Sequence, residues 1–88
     1  MNMKLLEPFN MTEQQIDARG WLCPQPVIVA RRWLQKASVG DRLHVILTDP
    51  HGPLDFEVFC ARSGHQLIAC QAKAEAHPPE WHLTIEKK

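Results

Sequence analysis

Apolar positions along this chain come in short blocks that follow two different periods. Val27, Ala30, Leu34 and Ala37 recur at spacings of three and four, which predicts a helix from Pro24 to about Ala37 with one face suited to a sheet. Arg31, Arg32, Gln35 and Lys36 fall largely elsewhere on that wheel, and Gly40 supplies a stop signal. Leu43 to Thr48 is apolar and β-branched and reads as a strand, ended by the turn-rich Asp49-Pro50-His51-Gly52-Pro53. His65 to Gln71 and Trp81 to Ile85 read as two further strands, joined through Ala74 to Glu80 with its Pro78-Pro79 pair. A short opening strand is expected over Gln14 to Ala18, where only Ile16 and Ala18 offer an apolar face.

One segment satisfies both periods. Leu54, Phe56, Val58 and Cys60 alternate as a strand would, while Leu54, Val58, Phe59 and Ala61 suit a helical face between Pro53 and Gly64. Periodicity leaves both readings open. With either one, the economical architecture is α+β, a sheet with helices on one face. Residues 1–12 lack clear periodicity and read as a flexible leader, so a single domain is expected over 13–88.

Composition narrows the function classes. Ten basic and ten acidic residues cancel, and no basic stripe is visible, so direct nucleic-acid binding is not expected. Three scattered cysteines, Cys23, Cys60 and Cys70, form neither a secreted disulfide framework nor a Cys-x-x-Cys pair. The five histidines give no metal-ligand spacing, and no metal site is expected. The start of the chain does not read as a signal peptide, and nothing approaches the roughly eighteen apolar residues of a membrane span. A cytoplasmic protein without membrane attachment is the expectation, with a monomer favoured.

The stretch Asp17 to Val27 carries the chemistry. An extended segment turns at Gly20 and enters the helix with Cys23 at the join, followed by Pro24, Gln25 and Pro26. Proline is tolerated in the first helical turn, whose N–H groups have no intrahelical partner. Cys23 is therefore expected at or just before a helix N-terminus, where the positive end of the dipole favours the nucleophilic thiolate. Cys60 and Cys70 are expected to be structural, each within a packed apolar element. Arg19 is either a guanidinium beside the thiolate or a strand-end ion-pair partner. Asp49 is a turn former before proline or a functional acid. Trp33, off the apolar stripe of its helix, is the tryptophan expected to meet a partner.

These residues resemble the TusA/SirA-type sulfur-carrier family. Its Asp-x-Arg-Gly-x-x-Cys-Pro-x-Pro signature is matched by Asp17, Arg19, Gly20, Cys23, Pro24 and Pro26, and the likeness runs on through Gly40-Asp41, Asp49-Pro50, Asp55, Phe59-Cys60 and His65. The resemblance implies a β-α-β-α-β-β two-layer sandwich, two helices on one face of a four-stranded mixed sheet, and so turns the ambiguous segment into a helix. It implies a sulfurtransferase-type carrier without a cofactor of its own. Cys23 would accept sulfane sulfur as a persulfide from a cysteine desulfurase or rhodanese-like donor and pass it to a downstream acceptor, as in transfer-RNA thiolation, molybdenum-cofactor maturation or sulfur metabolism. Arg19, Gly20, Pro24, Gln25 and Pro26 would position the cysteine, and Arg31, Arg32 and Asp49 would face protein partners. Trp21, Leu22, Gln25 and Thr48 depart from the residues common in the family at their positions. The competing reading is a non-catalytic binding module, or a thiol-redox regulator, built on the same Cys-Pro-x-Pro surface.

Overall fold

The computed structural model describes residues 13–88, so the expected leader over 1–12 lies outside the described residues. Six elements follow in order: β1 (Glu13–Ala18), α1 (Gln25–Lys36), β2 (Arg42–Leu47), α2 (Gly52–Ser63), β3 (Gln66–Lys73) and β4 (Glu80–Glu86). The strands form one mixed sheet in the order β1-β2-β4-β3. β1 and β2 run parallel, with Ile16 opposite Val45 and Ala18 opposite Leu47. β4 pairs antiparallel with both β2 and β3.

Alternation along the central strands decides which face is covered. Leu43, Val45 and Leu47 of β2 are buried, as are Leu83 and Ile85 of β4. The register sets Leu43 beside Ile85 and Val45 beside Leu83, so these residues share one face of the sheet. Ala30 and Leu34 of α1 and Phe56 and Cys60 of α2 complete the same core. The remaining face carries Arg42, His44, His82, Thr84 and Glu86, each half-buried or exposed.

The ambiguous segment is a helix, and it buries a face other than the one its apolar pattern suggests. Gly52, Phe56 and Cys60, four residues apart, point into the core. Leu54 and Val58 instead remain 62% and 44% exposed. Gly52 is buried because the backbone passes close to β2: a Cβ there would lie 2.6 Å from Leu47 Cδ1.

Trp33 is half-buried and packs on the core alongside Trp21 and Trp81. One other expectation is corrected: Cys70 is exposed rather than packed, on β3, which is one of the two edge strands of the sheet.

Candidate functional site

The parallel pair β1–β2 brings two chain crossings together. Ala18 and Leu47 are neighbours at the carboxyl ends of their strands, and each strand leads through a short connection into a helix. Ligands of α/β units commonly gather outside strand carboxyl ends for this reason. Here the first connection carries Cys23, and the second carries Asp49 and leads to Asp55.

The first connection is pinned at both ends of its turn. Gly20 adopts a φ of +82°, a left-handed conformation that other residues rarely take. Its N–H donates to Thr48 Oγ1 at 2.9 Å, and the N–H of Trp21 donates to the carbonyl of Ala18 at 3.1 Å. Three residues further on, the N–H of Cys23 donates to Asp49 Oδ2 at 2.9 Å. The other carboxylate oxygen of Asp49 accepts from the N–H of His51 at 2.9 Å, and its ring Nδ1 lies 3.2 Å away. The Asp49 side chain is only 10% exposed. Its carboxylate is thus turned onto backbone, and it holds the cysteine loop against the turn.

Pro24 occupies the N-cap of α1, Gln25 opens the helix, and Pro26 is buried in the first turn. This costs the helix much of its capacity to hold an anion. Two of the residues at its start have no N–H, that of Gln25 is taken by the carbonyl of Leu22 at 3.0 Å, and that of Cys23 by Asp49. The half-buried Cys23 thiol instead donates a hydrogen bond to Asp55 Oδ2. Asp55 lies in the first turn of α2, where the helix dipole favours its negative charge. The sequence alone gives Asp55 no role. Its place after a turn, near a helix start, is legible, but its approach to Cys23 arises only when both helices seat on one sheet.

Beyond the thiol lies an open depression between the two helices, about 470 Å³ in volume and lined by Cys23, Val27, Leu54, Val58, Phe59 and Arg62 among others. Its walls are mainly apolar. Arg31 lies next to Arg62 in an adjoining depression, and Arg31 and Arg32 line a third with Ile28. Among the described residues, none of these three arginines has a carboxylate within ion-pair distance.

Arg19 is engaged away from the thiol. Its Nε and Nη2 donate to both carboxylate oxygens of Asp17 at 2.9 and 2.7 Å, and its Nη1 lies 3.6 Å from Glu80. The guanidinium holds the Asp17 carboxyl at about 2. Of its two expected roles, the structure shows the strand-end ion pair.

The other two thiols are less suited to nucleophilic work. Burial pushes the Cys60 thiol up, and burial together with the charge of Glu57 does the same for Cys70. Among the described residues, no three His, Cys, Asp or Glu side chains converge as metal ligands, and no helix is long and apolar enough to cross a membrane.

The chain is thus a small α+β domain presenting one thiol beside an open apolar groove. The family model described as Sulfurtransferase TusA matches residues 14–87. The sulfur carrier protein TusA of Allochromatium vinosum is 37% identical over 75 residues, covering 85% of this chain and 93% of that protein. TusA of Pseudomonas syringae is 38% identical over 65 residues, covering 73% and 77%. The crystal structure of a SirA-like protein from Desulfitobacterium hafniense superposes with a TM-score of 0.68 at 25% identity, covering 82% of this chain and 93% of that one. The chain belongs to the TusA family, and its general role is that of a sulfur carrier.

Proposed function

We propose that Cys23 is the sulfur-bearing residue, taking sulfane sulfur as a persulfide from a cysteine desulfurase or rhodanese-like donor and relaying it to an acceptor thiol. The carrying observation is that Cys23 lines the open inter-helix groove on a loop fixed by Asp49 and Thr48, while Cys60 is buried.

The chemistry is redox-neutral. The Cys23 sulfur, once deprotonated, attacks the terminal sulfur of the donor persulfide. A new S–S bond forms as the donor's S–S bond breaks, and the departing donor thiolate takes up the proton. In the second step an acceptor nucleophile attacks the terminal sulfur on Cys23, and the Cys23 thiolate leaves. No oxidant, metal or organic cofactor enters either balance. The persulfide itself is the activated group, so the carrier needs accessibility and position more than a catalytic triad.

The groove gives partners a place to sit. Exposed Leu54 and Val58 line it with Arg62, and Arg31 stands beside Arg62 in the adjoining depression, neither arginine being spent on an ion pair among the described residues. Apolar contact with a charged rim is the usual composition of a transient protein interface. The test is transfer of radiolabelled sulfur from cysteine, through a desulfurase and this protein, to an acceptor thiol. Transfer should require the carrier and be lost in Cys23→Ser. Undiminished transfer by that variant would overturn the proposal.

A further inference from the structure

The hydrogen bond from Cys23 to Asp55 sets a carboxylate against the sulfur that changes charge during a transfer cycle. We propose that Asp55 distinguishes the empty carrier from the loaded one: it accepts a hydrogen bond from the empty thiol and repels the persulfide anion, turning the terminal sulfur toward the open groove. This rests on the reading of Cys23 as the persulfide residue.

The start of α2 sets the position of Asp55. It occupies the first turn of α2, at the positive end of the helix dipole, and its N–H is bonded to the carbonyl of His51 at 3.2 Å. Among the described residues, no Lys, Arg or His stands within ion-pair distance of its carboxylate. The other charged groups near the cysteine are accounted for. Asp49 is bound to the backbone N–H of Cys23 and His51, and His51 itself is exposed. Arg62 lines the same groove from α2, and Arg31 stands on α1 beside it. The first turn of α1 holds no acidic residue.

A thiol beside a carboxylate keeps its proton, because a neighbouring like charge disfavours the anion. A persulfide is the stronger acid and ionises more readily than the thiol it replaces. Once loaded, the sulfur has no proton to offer Asp55, and two negative charges face each other. The groove that Cys23 and Asp55 line together with Val27, Val58, Phe59 and Arg62 is the open space left to the terminal sulfur. The empty thiol is thereby guarded, and the loaded sulfur is displayed.

Alkylation of Cys23 by iodoacetamide, followed by mass spectrometry across a pH series, tests this on empty and loaded protein. In empty Asp55→Asn, the rate at pH 7 should rise about tenfold and the pH profile should move down by about one unit. Asp55→Glu, which restores the charge, should return the profile toward wild type. The loaded-to-empty rate ratio should be large in wild type and collapse in Asp55→Asn. A profile and ratio unchanged by Asp55→Asn would overturn the proposal, and Asp55→Ser supplies the same comparison if the amide variant folds poorly. The empty-protein arm involves no sulfur loading, so it can fail while Cys23 still carries sulfur, or hold even if Cys23 does not.

Discussion

The backbone N–H of Cys23 and the carboxylate of Asp49 meet at 2.9 Å across 26 positions of sequence. One hydrogen bond thus ties the loop after β1 to the turn after β2. Asp49→Ala would leave the N–H groups of Cys23 and His51 without their acceptor, in a setting where the side chain is almost covered. The expected cost is about 1–3 kcal/mol in urea unfolding, with faster hydrogen exchange at the Cys23 amide. Asp49→Asn keeps one acceptor oxygen and should fall between the two. Slower sulfur transfer should accompany both, through loss of position and not of the thiol.

The close approach of α2 to β2 makes Gly52 a second sensitive point. A methyl group there meets Leu47, which is only 1% exposed and has little room to yield. Gly52→Ala should cost about 1–3 kcal/mol. The start of α2 should move as well, carrying Asp55 with it. Thermal unfolding together with the Cys23 alkylation profile reads both effects.

Accessibility and reactivity should separate at Cys70. The residue is exposed, yet burial of its sulfur and the Glu57 charge raise its pKa. A raised thiol pKa means less thiolate near neutrality, so labelling should climb only as pH passes above the ordinary thiol range. Glu57→Gln should speed Cys70 labelling at pH 8. Cys60, raised by burial alone, should label slowest and report global opening.

His65 provides a pH dependence of stability. Its ring packs against Phe59 with centroids 6.0 Å apart and accepts the N–H of Lys88 on Nδ1 at 3.2 Å. Burial and the Lys87 charge lower its pKa below the usual 6.5. The unfolded chain therefore binds the proton first as pH falls. The stabilisation is fully present above about 6.5 and is lost as pH drops toward the folded-state value. Urea midpoints should decline modestly from pH 7.5 to 5.5, and His65→Phe should flatten that part of the curve.

Much of this fold is legible in the chain because burial and periodicity agree. Leu43, Val45 and Leu47 alternate and are buried, and Ala30 and Leu34 lie on the helical stripe and are buried. The segment from Leu54 to Arg62 is harder because two apolar sets compete. The exposed Leu54 and Val58 line the groove, so part of the apolar pattern is not spent on the core. The apolar composition of its strand implies a packed Cys70, and strand composition does not reveal an edge. Cys23 stood out through its glycine turn and prolines. Asp55 did not, because its meeting with Cys23 depends on two helices starting side by side above a parallel strand pair.

The role of Cys23 is tested most directly by the intact mass of the protein after incubation with a cysteine desulfurase, pyridoxal phosphate and cysteine, with Cys23→Ser in parallel. An added sulfur is expected on wild type and none on the variant. An equal adduct on both would place the reactive sulfur on Cys60 or Cys70 and contradict that role, as would the absence of any adduct on wild type across several desulfurases.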